Sequence, residues 1–180
     1  MIDSCLYMPE IHPAWNLEVT IRQLNQADLP ALEWEGEFAH FRNLFRDIFQ
    51  QTNQGRALMW GVEIPGTGII GQLFVQLDSN RKELADGFST AYFFGLRIKT
   101  PFQSAGIGGR LLNIAEKDLV KRLYQRATLN VSRQNPNARR FYENRGYRVI
   151  AHEPGHWSYL DEKGQQREVH EPALRMMKDI

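Results

Sequence analysis

Cysteine is almost missing from this 180-residue chain. Cys5 stands alone, so no internal disulfide can form, and a lone thiol suits a reducing cytoplasm. An excess of charge of one sign is missing too. Lys and Arg number 22 against 21 Asp and Glu, a formal net charge of +1. So small an excess excludes bulk electrostatic capture of nucleic acid or of an anionic membrane. No apolar run approaches the roughly 20 residues that span a bilayer. The opening Met1-Ile2-Asp3-Ser4-Cys5 has neither the basic region nor the long apolar segment of a secretory signal. No repeat, low-complexity tract or linker divides the chain, and its length is enough to bury one core. The expectation is a single domain over 1–180, with 1–16 an irregular lead-in marked by Pro9 and Pro13.

What is present alternates between strand and helix patterns. Leu17 to Leu24 places Leu17, Val19 and Ile21 on one face and predicts a first strand. Asn25 to Pro30 opens a helical region. Glu33 to Gln51 carries Phe38, Phe41, Leu44, Phe45, Ile48 and Phe49 at steps of three and four, the spacing of one amphipathic helix whose phenylalanines pack the core. Ala57–Ile64 and Ile69–Leu77 read as an antiparallel hairpin around the turn Pro65-Gly66-Thr67-Gly68. Further strands are predicted at Ala91–Ile98, Thr128–Val131, Tyr147–Ala151 and Ala173–Lys178. Between the last two, Trp157–Leu160 and Gln165–Val169 form an extra hairpin, whose Trp157, Tyr159 and Leu160 offer an apolar contact surface for a homodimer. The mixture predicts an α/β fold.

The stretch around which the rest is arranged runs from Ala91 to Leu123. It is an apolar strand, a turn with Pro101, a glycine-rich loop (Gln103-Ser104-Ala105-Gly106-Ile107-Gly108-Gly109) and an amphipathic helix with Leu111, Leu112, Ala115 and Leu119 on its buried stripe. The first N–H groups of a helix lack partners within it, and the helix dipole adds positive charge there. Glycines let a phosphate approach those N–H groups. Two familiar phosphate loops are excluded by what this one lacks. Arg110 and Leu111 follow Gly109, so there is no Gly-Lys-Ser/Thr. Leu111 stands where a dinucleotide loop needs a third glycine, and no carboxylate lies between Asp118 and Glu143. The spacing that fits is Gln-x-x-Gly-x-Gly, with Ile98 five positions before Gln103.

Ile98 to Gly108 resembles motif A of the GNAT superfamily of acyl-CoA-dependent N-acyltransferases. Leu129 to Tyr147, with Asn135, Ala138, Tyr142, Gly146 and Tyr147 in register, resembles motif B of the same superfamily. The resemblance implies the GNAT fold: a mixed, mostly antiparallel central sheet with splayed fourth and fifth strands and helices on both faces. It implies acetyl-CoA as co-substrate, an amine acceptor, and no metal. It also implies that main-chain groups of Leu96, Arg97 and Ile98 hold the pantetheine arm. N–H groups of Gln103, Ser104, Ala105, Gly106, Ile107, Gly108 and Gly109 would cradle the pyrophosphate, with Asn135, Asn137 and Tyr142 completing the coenzyme site. Tyr142 takes the family's general-acid position.

The base is less well marked. The family often has a carboxylate on or near the fourth strand, and Ser89 to Phe94 holds none. Glu35, Glu37 and Glu63 remain as candidates. The first two sit in Glu33-Trp34-Glu35-Gly36-Glu37, which reads either as a solvated helix junction or as a loop that attracts an amine. His152, His156 and His170 invite a metal reading, but Pro154 and Gly155 break the helical spacing between the first two. From Arg110 to Arg148, ten basic residues face three acids, a bias that favours the phosphates of CoA, while no interleaved aromatic platform points to nucleic acid. The activity expected is acetyl transfer from acetyl-CoA to a primary amine of a small molecule, peptide or protein. The alternatives are a non-catalytic acyl-CoA sensor and a nucleotide-binding protein using the same loop.

Overall fold

The computed structural model describes residues 18–180, so the lead-in and Leu17 fall outside the described residues. The elements are β1 (Thr20–Gln23), a 3-10 segment (Gln26–Gly36), α1 (Arg42–Asn53), β2 (Ala57–Ile64), β3 (Gly68–Gln76), β4 (Thr90–Ile98), α2 (Ile107–Lys121), β5 (Arg126–Ser132), α3 (Pro136–Glu143), β6 (Arg148–Glu153), β7 (His156–Leu160), β8 (Gln166–His170) and β9 (Ala173–Asp179). Seven strands form one sheet in the order β1-β2-β3-β4-β5-β9-β6, and β7 and β8 form a separate hairpin. Every neighbouring pair is antiparallel except β4 with β5.

The sheet is buried on both faces, which is why β2 reads as an unbroken apolar run rather than an alternation. Leu58, Trp60, Val62 and Ile64 join one core cluster with Leu111, Leu112 and Leu119 of α2. Ala57 and Met59 point the other way, toward Phe45 and Ile48 of α1. Helices therefore cover both faces, as expected.

The predicted helix over Glu33–Gln51 is corrected by the structure. Glu33 to Gly36 ends the 3-10 segment, Ala39–Phe41 is a short 3-10 turn, and the regular helix begins only at Arg42. Trp34, Glu35 and Gly36 take φ of 45°, 57° and 100°, and no right-handed helix passes through three left-handed residues. Tertiary packing holds this break: Trp34 is buried and meets Phe38 edge-on at 5.1 Å. The hairpin β7–β8 leans on the same region, with Tyr159 4.8 Å from the Phe41 ring. Tyr159 is thus engaged within the chain, while Trp157 and Leu160 are 43% and 51% exposed.

The entry into β4 is fixed by Asp86. Its carboxylate accepts hydrogen bonds from the N–H groups of Phe88, Ser89 and Thr90 and from the Ser89 hydroxyl. Burial opposes its ionisation, but these bonds outweigh it and hold the carboxyl well below the usual range. A lowered folded pKa means the stabilisation is complete above the unfolded value and is lost as pH falls toward the folded one. Asp86→Ala should cost about 1–3 kcal/mol at neutral pH. The same comparison in acid should show a smaller difference. Urea midpoints that match the parent at both pH values would remove this role.

Candidate functional site

The site is built where β4 and β5 part. They pair only from Thr90–Phe93 to Arg126–Leu129, yet β4 runs on to Ile98 and β5 to Ser132. The splay expected of the fourth and fifth strands is therefore present. On their outer edges both strands stay paired, β4 with β3 up to Gly71↔Ile98 and β5 with β9 along its whole length. Gly95 marks a bulge in β4, where two ladder steps on β3 oppose three on β4. It has φ 64°, and a Cβ there would come within 2.8 Å of the Phe74 ring. After the bulge, Leu96 and Ile98 pack with the α2 cluster, and Arg97 lies over the rings of Phe38 and Phe41 on the other side.

Beyond β4 the loop turns with left-handed residues at Ser104 (φ 62°) and Gly106 (φ 76°), a geometry that converges successive amide N–H groups. The Gln103 side chain donates to the Ile98 carbonyl at 2.8 Å and ties the loop to the strand. That engages one lone pair of a carbonyl in the group expected to meet pantetheine, and leaves the second. Gly106 precedes α2, and among the described residues no side chain caps that helix and nothing lies within 4 Å of where a Gly106 Cβ would be. The contrast with α3 is informative: there the Asn135 side chain accepts from Ala138 N–H at 2.9 Å and closes the N-terminus, with Pro136 in the first turn. One helix start is capped by its own residue and the other, among the described residues, has no side-chain cap, so the loop fits a diphosphate.

Two residues gained importance only in three dimensions. Gly109 lacks a side chain where Arg145 lies: a Cβ there would be 2.3 Å from the Arg145 guanidinium. Arg145 donates to the Phe141 carbonyl at 2.9 Å and stacks 3.8 Å over the Phe141 ring, which sets positive charge beside the first turn of α2. In the sequence it was one of ten basic residues, with no sign of its placement. Arg97 was named for its main chain alone, yet its side chain lines a cleft beside the end of β4.

Tyr142 sits on α3, against the core cluster that includes Ile98 and Ala105. Its ring meets Phe141 edge-on at 5.0 Å and Tyr147 at 5.7 Å. Tyr147 is itself anchored, its hydroxyl donating to Glu116 of α2 at 2.8 Å. Burial, and then the nearby Tyr92 phenol of β4, push the Tyr142 hydroxyl up to about 12, with Arg145 acting in the opposite direction.

The three candidate bases separate. A cleft of about 590 Å³ between the 3-10 segment and the end of β4 is lined by Trp34, Glu35, Glu37, Phe38, Leu96, Arg97 and Gln103, among others. Glu35 is there but pairs with Lys99 at 2.9 Å. Glu37 is there and makes no ion pair among the described residues. Glu63 is not on the cleft; Arg22 holds it at 2.7 Å. His156 and His170 stack across the hairpin at 4.1 Å, and His152 meets Arg133 at 2.9 Å. Among the described residues no three His, Cys, Asp or Glu are grouped to hold a metal ion, and no helix is long and apolar enough to cross a membrane.

Residues 20–147 match the model of the acetyltransferase (GNAT) family. No curated protein sequence matches significantly. Among solved structures, Ard1 from Thermoplasma volcanium superposes with a TM-score of 0.69 at 16% identity, over 91% of this chain and 98% of that one. NAA60 of Arabidopsis thaliana, solved in complex with acetyl-CoA, gives 0.67 at 21% identity, over 90% and 98%. The ribosomal-protein-S18-alanine N-acetyltransferase of Escherichia coli gives 0.65 at 23% identity, over 90% and 94%. Likenesses at this identity carry the fold, and the family match over most of the chain carries the membership. The parted strands and the uncapped loop beside them are thus those of a chain that belongs to the acetyltransferase (GNAT) family.

Proposed function

We propose that this protein moves an acetyl group from acetyl-CoA to a primary amine by direct attack. The observation that supports it most is the juxtaposition of the β4–β5 gap with the open N-terminus of α2. Main-chain groups along Leu96–Ile98 have no ladder partner across the gap and can pair with the amides of the pantetheine arm. The loop from Gln103 to Gly109 receives the diphosphate, with Arg145 adding charge. Asn135 is spent on capping α3, so its remaining amide N–H groups and Asn137 are what motif B offers the coenzyme. When bound, acetyl-CoA supplies an activated acyl group, and the chain supplies orientation and proton control. Tyr142 donates to the departing sulfur, and Glu37, through water, is the carboxylate best placed on the cleft to take the amine's proton.

Thiol release from acetyl-CoA with a panel of amines tests this, read across about pH 6 to 10. An amine must be neutral to attack, so kcat/KM should rise toward the acceptor's own pKa, about 8 for an α-amino group and about 10.4 for a lysine-type amine. A phenol at about 12 stays protonated throughout, so Tyr142 adds no falling limb in that range. Tight CoA binding with no amine-dependent thiol release would favour the sensor reading. A fall centred near pH 9 would assign the acid elsewhere.

A further inference from the structure

We infer that the acceptor carries a carboxylate close to its amine, and that the Arg97 guanidinium is what selects it; this rests on the transferase reading above. Arg97 is mostly buried and its guanidinium carbon lies 4.2 Å from the Phe38 ring centroid and 5.1 Å from that of Phe41. Rings over its face leave the N–H donors, which lie in the guanidinium plane, to be satisfied at the edge. Among the described residues no hydrogen bond or ion pair takes them. Arg22, Arg42, Arg81, Arg167 and Arg175, by contrast, each hold a carboxylate oxygen within 3.1 Å. An arginine cannot shed its charge, so burying one without an anion is costly unless a ligand brings the anion.

A second polar group stands beside it. Gln72 of β3 is directly opposite Arg97 in the ladder, so the two side chains share a face of the sheet. Gln72 is fully buried, and among the described residues neither its amide oxygen nor its nitrogen has a partner. Gln72 does not itself line the cleft, so it bears on the inference as a second unpartnered polar side chain on the same face of the sheet as Arg97.

The cleft sets the rest of the acceptor. Glu37 is close enough to favour the charged guanidinium but not within ion-pair distance, and Glu35 is turned to Lys99. Carboxylates on one wall and an unpaired guanidinium on the other match a molecule with an ammonium and a carboxylate a short distance apart. A flat carboxylate suits the fork of one guanidinium. With Lys99 already paired to Glu35, a doubly charged phosphate would face Glu37 with only one unpaired arginine to hold it. Arg97 follows Leu96, whose main chain borders the gap, and its side chain lies on the face of the sheet opposite Leu96 and Ile98, so an acceptor anchored there approaches the gap from the side away from α2.

Matched pairs test the inference without knowing the natural acceptor: glycine against glycinamide, and tripeptides beginning with aspartate against the same peptides beginning with asparagine. In the whole protein, the carboxylate member should be the better acceptor by about 10- to 100-fold in kcat/KM, the size of a charge-assisted hydrogen bond. Arg97→Gln should erase most of that preference through the acceptor KM, and Arg97→Lys should restore part of it. The affinity for CoA serves as the check that the fold is intact. Calorimetric titration of the same pairs into CoA-saturated protein reads selection without turnover. Carboxylate-selective binding with no acetylation would sink the transferase reading and keep this one. Acetylation with no preference in the parent protein, or a preference that survives intact in Arg97→Gln, overturns it, as does an absence of binding by every carboxylate tried.

Discussion

Replacing Tyr142 with phenylalanine should lower kcat about 100-fold while the KM for acetyl-CoA moves by no more than about twofold. The substitution keeps the ring and its edge contacts with Phe141 and Tyr147, so packing against the core is preserved and only the hydroxyl is lost. The size of the effect follows from the phenol's raised pKa. A free thiol has a pKa of about 8.5 and the Tyr142 phenol sits at about 12, so full transfer of its proton to a thiolate runs uphill by about 5 kcal/mol. On the proposed reading, what Tyr142 would give is a strong hydrogen bond that tightens as negative charge gathers on sulfur. A donor of that kind contributes about 2.7–4 kcal/mol when it is aimed at developing charge. Stopped-flow thiol release with a saturating amine would measure it. Equal losses in kcat and in coenzyme affinity would show that the hydroxyl merely helps the coenzyme to bind.

Gly106→Asp should raise the Kd for CoA by about 100-fold or more and leave the unfolding midpoint nearly where it was. The aspartate has room, since nothing lies within 4 Å of its Cβ position. It must accept φ 76°, which costs an L residue about 1–2 kcal/mol, although aspartate tolerates that region better than most. Negative charge at the positive end of α2 returns part of that cost. The same charge stands where a diphosphate must come, and two like charges about 4 Å apart near a surface repel by about 4 kcal/mol. Calorimetry with CoA and a thermal melt together separate the two effects. Unchanged affinity in a folded variant would mean that the diphosphate does not sit at this helix start.

How far the sequence leads depends on the range of the interactions that decide each feature. The strand, glycine loop and helix of Ala91–Leu123 were legible because turn chemistry and periodicity act within a few residues. The hairpin turn at Pro65-Gly66-Thr67-Gly68 was legible for the same reason, and the structure pairs its two strands antiparallel. The broken helix at Trp34–Gly36 was not, since the spacing of Phe38, Phe41 and Phe45 fits a helix, and only packing around Trp34 turns the chain left-handed. Glu63 looked as available as Glu37 until Arg22, 41 positions away, was found to hold it. Arg145 is held by Phe141, four positions before it, but that it lies against Gly109 of α2 depends on how the helices pack, and the side chain of Arg97 is placed by the distant Phe38–Phe41 turn.

The single extra residue at Gly95 has a bearing on how such a protein can change. It decides which way each of the last three strand positions looks, so that two serve the interior and one faces the cleft. If peptide atoms alone grip the common donor, then position 97 is free to drift without loosening that grip. One codon would suffice to retune which nucleophile is welcomed, and a duplicated copy could acquire a new clientele while its older machinery stayed as it was.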